Sequence, residues 1–260
     1  MPANPEARSL AVFCDFENVA LGVREAKYAQ FDMDKVLERL LLKGSIVVKK
    51  AYCDWERYKE FKPAMHAASF EMIEIPHLRQ SGKNSADIRM VVDALDLCYT
   101  KEHVDTFVIV SGDSDFSPLV SKLRENAKTV IGVGVKNSSS DLLINNCDEF
   151  IYYDDLVRQD EQKRRAAKKR REAAPAGEDK KQEAFDVVLE TLNALIAERG
   201  AEEKIWGSMV KQALKRRKPG FNESYYGFRA FSDLLEEMQQ KALIKLDPDE
   251  KSGGYLIRPA

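Results

Sequence analysis

Short apolar runs alternate with longer amphipathic segments from the start of the chain to Asp155. The apolar runs predict β-strands at Leu10–Cys14, Ile46–Tyr52, Met72–Ile75, Thr106–Val110, Val130–Val135 and Phe150–Tyr153. The amphipathic segments predict helices at about Met33–Lys43, Tyr58–Ala68, Ala86–Tyr99, Phe116–Asn126 and Asp141–Asn146. Such alternation is typical of a mainly parallel sheet with helices on both faces, so we expect a three-layer α/β sandwich.

Beyond Asp155 this pattern ends in a stretch of charges and alanines without an apolar stripe. Apolar positions then return at helical spacing over Phe185–Ile196, Ile205–Leu214 and Phe231–Met238. The runs LIKLD and YLIRP predict a terminal hairpin around Gly253–Gly254, and three helices with a hairpin describe a winged helix. We therefore predict an α/β domain over residues 1–157, a basic linker over 158–183 and a small winged-helix domain over 184–260.

The formal net charge of −2 gives no sign of a nucleic-acid partner. The distribution of charge points the other way, because phosphates are bound chiefly by clustered lysine and arginine. One basic cluster lies in the predicted linker and contains Lys168, Lys169, Arg170 and Arg171. The other lies at the end of the segment Ile205–Leu214 and just beyond it, and contains Lys215, Arg216 and Arg217. We predict that both clusters contact nucleic acid, and a solvated helix end stays open as the alternative for the second cluster.

Cysteine and histidine are few and scattered, and no pair of cysteines has C-x-x-C spacing. This argues against a zinc site, a histidine-rich metal centre or a histidine-based triad, and predicts reduced thiols in or near the core. No apolar run has the length of a signal peptide or a membrane span, so we expect a cytoplasmic protein with no membrane partner.

Acidic residues stand where two of the predicted strands end, and ligands of parallel α/β sheets bind outside the carboxyl ends of the strands. Asp15 directly follows the first strand, with Asn18 in the turn after it. Asp113 and Asp115 follow the strand TFVIV, and Asp87 opens the helix ADIRMVVDALDL. Helix capping by Asp115 or turn formation would explain any one of these residues alone.

Capping does not explain why several carboxylates would converge, because they repel one another unless a hard cation neutralises them. We therefore predict a Mg²⁺ or Mn²⁺ site with Asp15, Asp87, Asp113 and Asp115 as ligands. Such a cation can orient water and stabilise charge on a phosphodiester. Other acids of the region are expected to lie outside this site, on another side of the helix or as solvated surface charges: Asp93, Glu17, Asp54, Asp96 and Asp105.

Three segments between about Ser9 and Asp155 resemble the NYN domain family, also known as LabA-like or DUF88-like, whose fold is PIN-like. They are CDFEN at Cys14–Asn18, GKNSADIRMVVDAL at Gly82–Leu95 and VIVSGDSDFSPLV at Val108–Val120. The resemblance implies a metal-dependent ribonuclease that hydrolyses RNA phosphodiester bonds. It also implies a catalytic role for the matching positions Asp15, Asn18, Asp87, Asp113 and Asp115.

The chain from about Phe185 to Arg258 resembles the OST-HTH or LOTUS domain through IWGSMVKQALKRRKPGF and YGFRAFSDLLE. That resemblance implies a winged helix that binds RNA or partner proteins. The matching positions are mostly core residues, which identify the fold rather than the ligand: Gly227, Phe228, Phe231, Leu234 and Leu235. The aromatic residues Trp206, Tyr225 and Tyr226 are expected to pack within the domain rather than to stack on bases.

Two alternatives to a ribonuclease acting on single-stranded RNA stay open at this point. A non-catalytic RNA-binding adaptor could recruit other proteins through the C-terminal domain, although a scaffold has no physical need for crowded carboxylates. A phosphatase or nucleotide-binding protein could also use aspartates at strand ends. Against that class, Glu17 stands where a haloacid-dehalogenase-like motif requires a second aspartate, and no G-x-x-x-x-G-K-[ST] loop occurs.

Overall fold

The computed structural model describes residues 8–75, 85–171, 179–200, 202–249 and 254–260, with the backbone alone for 163–171 and 179. The chain divides into two compact units, Met1–Ala167 and Lys168–Ala260. No helix in the described ranges is long and apolar enough to cross a membrane.

The N-terminal unit is built on a parallel sheet of six strands. Its strands are β1 (Arg8–Asp15), β2 (Gly44–Cys53), β3 (Glu71–Glu74), β4 (Thr106–Val110), β5 (Thr129–Gly134) and β6 (Glu149–Tyr152). They lie in the order β3-β2-β1-β4-β5-β6, and every neighbouring pair is parallel. The strand order reverses between β1 and β4, so their carboxyl ends lie side by side at the topological switch point.

Helices cover both faces of this sheet. They are α1 (Phe16–Glu25), α2 (Met33–Lys43), α3 (Lys62–Ala67), α4 (Ser85–Thr100), α5 (Ser117–Glu125) and α6 (Asp141–Asn146), followed by α7 (Tyr153–Arg171). Strand β1 is buried on both sides: Leu10 and Val12 pack with α1, α2 and α3, whereas Ala11 and Phe13 pack with α4, α5 and α6. The predicted three-layer sandwich is confirmed.

Helix α1 is the main element of this unit that the sequence did not predict. Asp15 caps it by accepting a hydrogen bond from the Asn18 backbone amide at 3.4 Å. Asn18 therefore lies in the first turn of a helix and not in a loop. Gly22, a poor helix former, weakens the helical pattern of the sequence. A β-carbon on Gly22 would lie 2.4 Å from the Ser138 hydroxyl, so the close approach of another loop explains this glycine.

The C-terminal unit is a small winged helix. Its helices are α8 (Asp179–Arg199), α9 (Gly207–Arg217) and α10 (Phe231–Gln240), and its strands are β7 (Ile205–Trp206), β8 (Ile244–Asp249) and β9 (Gly254–Pro259). The strands form an antiparallel sheet in the order β7-β9-β8. The fold class is as predicted, except that Ile205 pairs with Ile257 in the sheet instead of beginning a helix.

The helical backbone extends into the predicted linker, because α7 reaches Arg171 and α8 begins at Asp179. The domain limits at residues 157 and 183 stay a prediction. The side chains of the first basic cluster lie outside the described residues: Lys168, Lys169, Arg170 and Arg171.

In the second basic cluster, the Arg217 side chain is buried against helix α8. Its side chain is 3% exposed and lies 2.7 Å from the Glu190 carboxylate, and its guanidinium donates to the Thr191 hydroxyl at 3.1 Å. These contacts join α9 to α8. A guanidinium held in this position is not available to a phosphate, so the predicted nucleic-acid contact does not fit Arg217. Lys215 is exposed and Arg216 is half-buried.

We expect Arg217→Met to lower the free energy of unfolding by about 1–3 kcal/mol, because it leaves the Glu190 and Thr191 side chains without this partner. Lys215→Met is the matched control on the same helix and should change stability by less than about 0.5 kcal/mol. Urea denaturation of both full-length variants measures the difference. Equal stability of the two variants would contradict a structural role for the Arg217 ion pair.

Candidate active site

Asp15 stands at the switch point between β1 and β4 and is 8% exposed. Its carboxylate accepts a hydrogen bond from the Ser111 hydroxyl at 3.0 Å, in addition to the bond from the Asn18 amide. Ser111 directly follows β4, whose last residue pairs with Cys14 in β1. The register of the two strands therefore sets the position of this carboxylate.

Asn18 fixes the loop that follows β4. Its side-chain oxygen accepts a hydrogen bond from the Gly112 backbone amide at 2.9 Å. The Ser111 hydroxyl in turn accepts one from the Asp113 amide at 3.2 Å. Gly112 leaves no room for a side chain, since a β-carbon would lie 2.4 Å from the Ser138 carbonyl oxygen. Asn18 thus positions the loop that carries the next acid.

Asp113 and Asp115 stand at the start of a 3₁₀ turn, Ser114–Phe116, that leads into α5. The Asp113 carboxylate caps this turn by accepting a hydrogen bond from the Asp115 amide at 2.9 Å. The capping role considered for Asp115 therefore belongs to Asp113. Asp113 is half-buried, whereas Asp115 is exposed, and its side chain is available to a ligand.

Asp87 completes the group of predicted acids from the first turn of α4, where it is half-buried. Burial, together with the charges of Asp113, Asp115 and Glu17, raises the pKa of Asp87 to about 6. Burial likewise raises the pKa of Asp15 to about 7, with contributions from Asp87 and Asp113, while the hydrogen bonds from Ser111 and Asn18 oppose the rise. Asp87 thus interacts electrostatically with each of the other three acids, and Asp15 also interacts with Asp113.

Glu17 belongs to the same electrostatic neighbourhood, although we expected a solvated surface charge. It lies in the first turn of α1, and its carboxylate accepts hydrogen bonds from Arg57 at 3.2 Å and Tyr58 at 3.5 Å. Its position two residues after Asp15 is the only signal for this in the sequence.

Asp93 lies outside the cluster, as predicted. Its carboxylate accepts hydrogen bonds from the Tyr52 hydroxyl at 2.9 Å, from Lys50 at 3.3 Å and from Arg89 at 3.0 Å. Burial raises the pKa of Asp93, but the hydrogen bond from Tyr52 and the charge of Lys50 outweigh burial, and the net shift is downward. A carboxylate that is satisfied in this way has a structural role.

The four acids offer an all-oxygen donor set, the chemistry that Mg²⁺ and Mn²⁺ prefer. Within the described ranges, no group of three or more histidine, cysteine, aspartate or glutamate side chains is placed to hold a metal ion. Mg²⁺ commonly keeps several water molecules and takes only one or two protein carboxylates, together with substrate phosphates. An open, mutually repelling set of carboxylates fits that mode of binding better than a closed cage.

A cavity of about 460 Å³ adjoins the acidic cluster. It is lined by Ser114, Asp115, Ser117, Pro118, Ser121, Leu142 and Asn146. Most of these residues carry hydroxyl or amide groups, which suit the polar backbone of a nucleic acid. The Ser117 hydroxyl is buried and has no hydrogen-bond partner in the part of the chain that the structure describes.

The four cysteines are free, and Cys14, Cys53 and Cys98 are buried, as the sequence predicted. Burial, together with the neighbouring charge of Asp15, raises the pKa of the Cys14 thiol well above its ordinary value. A thiol in this environment stays protonated and is a poor nucleophile.

The sheet order and the acids at its switch point define a PIN-like α/β domain. The NYN domain model matches residues 9–154, more than half of the chain, and the chain belongs to the NYN domain family. The OST-HTH/LOTUS domain model matches residues 186–251. NYN domains are nuclease-like, PIN-like nucleases generally use divalent metals, and the OST-HTH/LOTUS domain is an RNA-binding module.

Two similar proteins have no assigned function. An uncharacterized protein of Methanocaldococcus jannaschii is 30% identical over 125 residues, which cover 48% of this chain and 49% of that protein. The chain thus spans about half the length of this curated relative. A crystal structure of a protein of unknown function from Vibrio parahaemolyticus matches with a TM-score of 0.52 and 27% identity, covering 59% of this chain and 98% of that one.

We expect Asp15→Asn to stabilise the metal-free protein at high pH. Because the pKa of Asp15 is raised to about 7 in the folded state, protonation of this group favours folding, and that stabilisation is lost as the pH rises towards 7. In EDTA, the variant should exceed the wild type by about 1–3 kcal/mol at pH 8 and match it near pH 4. Urea denaturation at both pH values tests this, and a difference independent of pH would contradict it.

Proposed function

We propose that the protein is a metal-dependent ribonuclease that hydrolyses phosphodiester bonds of single-stranded RNA. The observation that carries this proposal is the placing of Asp15, Asp87, Asp113 and Asp115 around the switch point, where burial and, after it, the charges of neighbouring acids raise the pKa of Asp15 and Asp87. A fold gains no stability from such crowding, whereas a bound cation would relieve it.

One or two of the acids Asp15, Asp87, Asp113 and Asp115 would hold Mg²⁺ or Mn²⁺ directly, and the others would act through its water molecules. When bound, the ion would neutralise charge on the phosphate and orient the attacking water. The protein side of the site is prepared before any ligand arrives. Ser111 and the amide of Asn18 fix the Asp15 carboxylate, and the Asn18 side chain fixes the loop that leads to Asp113. Preorganisation of this kind lowers the cost of ordering the site during the reaction.

The cavity beside Asp115 gives the RNA strand a polar path next to the acids. Ser114, Ser121 and Asn146 line it with groups that donate hydrogen bonds, which phosphate and ribose oxygens can accept. The exposed side chain of Leu142 lies in the same lining and offers an apolar contact to a base or a ribose.

An acidic cleft repels RNA, so the affinity must come from elsewhere in the chain. We propose that Lys168, Lys169, Arg170 and Arg171, together with the basic end of α9 at Lys215 and Arg216, hold the phosphate backbone. In this arrangement the N-terminal domain cuts and the remainder of the chain retains the substrate.

We expect cleavage of labelled single-stranded RNA with Mn²⁺ or Mg²⁺ and none in EDTA. Asp15→Asn, Asp113→Asn and Asp115→Asn should each lower the rate roughly 100-fold or more, because a catalytic cation contributes several kcal/mol to the barrier reduction. Asp96→Asn, an exposed acid of α4, is the matched control and should cut at the wild-type rate.

Labelled DNA of the same sequence in a parallel assay defines the choice of substrate. Full activity of all three aspartate variants, or cleavage in EDTA, would contradict the metal-dependent assignment. Metal-independent RNA binding without any cleavage would instead favour the alternative function, a non-catalytic RNA-binding adaptor.

We expect charge reversal of Lys168, Lys169, Arg170 and Arg171 to weaken binding of long RNA and to reduce its salt dependence. Each phosphate neutralised on a single strand contributes roughly −0.7 to the slope of log affinity against log salt concentration, so the slope should flatten by about 2–3. Fluorescence anisotropy over a salt series in EDTA measures both quantities. An unchanged slope would remove this cluster from the RNA interface and direct the search towards protein partners.

A further inference from the structure

Tyr225 lies on the surface of the C-terminal domain, although the sequence predicted that it packs inside. Its side chain is 62% exposed, whereas Trp206 and Tyr226 are half-buried. An aromatic ring that remains open to solvent gains little from burial in the fold. The position therefore calls for an explanation other than packing.

The backbone that carries Tyr225 is fixed at both ends. Tyr225 lies in a 3₁₀ turn, Glu223–Tyr226, which Asn222 caps by accepting a hydrogen bond from the Ser224 amide at 2.9 Å. Gly227 ends the turn in a left-handed conformation with φ of 87°. The next residue, Phe228, is 5% exposed and anchors the turn in the core of the domain. A ligand would therefore meet a ring that is already in place.

The ring of Tyr225 is also supported from one side by other aromatic rings. Tyr226 contacts it edge to face, with ring centroids 5.0 Å apart. Tyr226 in turn stacks on Phe221, with centroids 5.2 Å apart and an angle of 26° between the rings. The three rings form one aromatic surface, of which Tyr225 is the exposed member.

Lysines lie close to this aromatic surface, as do the carboxylates of Glu183, which is hydrogen-bonded to Tyr226, and Glu223. The Lys180 ammonium lies over one face of the Tyr225 ring, 4.9 Å from the ring centroid. Lys215 acts electrostatically on Glu223 in the same turn, and Lys211 lies 3.0 Å from that glutamate and neutralises it. An exposed ring beside lysines matches the two parts of a nucleotide, because the base has a π-face and the phosphate is an anion.

We propose that an unpaired base of RNA stacks on the face of Tyr225 opposite the Lys180 ammonium, while Lys180 and Lys215 pair with the flanking phosphates. This rests on the proposed function of the C-terminal domain as the part that holds RNA, and it adds the way in which a single strand is recognised. Bases in a duplex are already stacked on one another and do not offer their faces to a side chain. Tyr225 thus selects single-stranded over double-stranded RNA.

The test uses the full-length protein in EDTA, so that binding is measured without cleavage. Tyr225→Ala should weaken binding of a single-stranded RNA by about 5- to 100-fold and leave its salt slope unchanged, because stacking neutralises no phosphate. Tyr225→Phe keeps the ring and should bind within about 2-fold of the wild type. Lys180→Ala should flatten the slope by about 0.7. Tyr99→Ala, which removes an equally exposed tyrosine of α4, is the matched control and should change neither quantity.

Two further measurements separate stacking from a general loss of binding. A blunt duplex of the same sequence should bind Tyr225→Ala and the wild type equally. Tyr225→Trp adds a fluorophore at the site to the native Trp55 and Trp206. The emission that it adds to that of the wild type should be quenched by single-stranded RNA but not by the duplex. Unchanged single-strand affinity of Tyr225→Ala, an equal loss for the duplex or absent quenching would overturn the proposal. Because no metal is present, these results are independent of whether the N-terminal domain cuts RNA.

Discussion

The hydrogen bond from Ser111 to Asp15 is the interaction on which the rest of the candidate site depends. This hydrogen bond links the carboxyl ends of β4 and β1, where the strand order reverses. A crevice opens between neighbouring strands at such a point, and the bond holds the two strand ends together there. Asn18 adds a second link in the same direction through Gly112. The acids of three separate segments then face one region because β1, β4 and α4 are packed as one core.

Holding these acids together opposes folding, and the apolar strands of the sheet compensate for it. β1 and β4 are buried on both faces, which supplies stability where the carboxylates remove it. The repulsion among these carboxylates destabilises the fold, and a bound cation can relieve it. Ordinary surface acids are solvated and carry no such repulsion. Asp93, which lies in the same helix as Asp87, shows the contrast. Its carboxylate accepts hydrogen bonds from tyrosine and lysine side chains and so needs no ligand.

Local patterns predicted much of this structure, and contacts between distant segments determined the rest. The strand Thr106–Val110 and the helix Met33–Lys43 have the predicted limits, because their apolar spacing is itself the cause of their burial. The sequence did not predict helix α1, because Gly22 weakens its helical pattern. This glycine is required by the close approach of a loop more than a hundred residues away in the chain. The burial of Arg217 likewise depends on α8, and the exposure of Tyr225 depends on how its turn is anchored. The spacing of residue types along the chain does not show which distant residues a side chain will contact in the fold.

The sheet also has two outer strands, and each is short and marked by glutamate. β3 has four residues, and Glu71 and Glu74 stand at its ends. β6 also has four residues and begins at Glu149, which pairs with Lys43 at 2.8 Å. A short outer strand offers few free backbone groups to another chain, and a charged side chain on it disfavours pairing with an apolar strand. The N-terminal domain is thereby protected against edge-to-edge aggregation, a hazard for a slowly formed parallel sheet in a crowded cell.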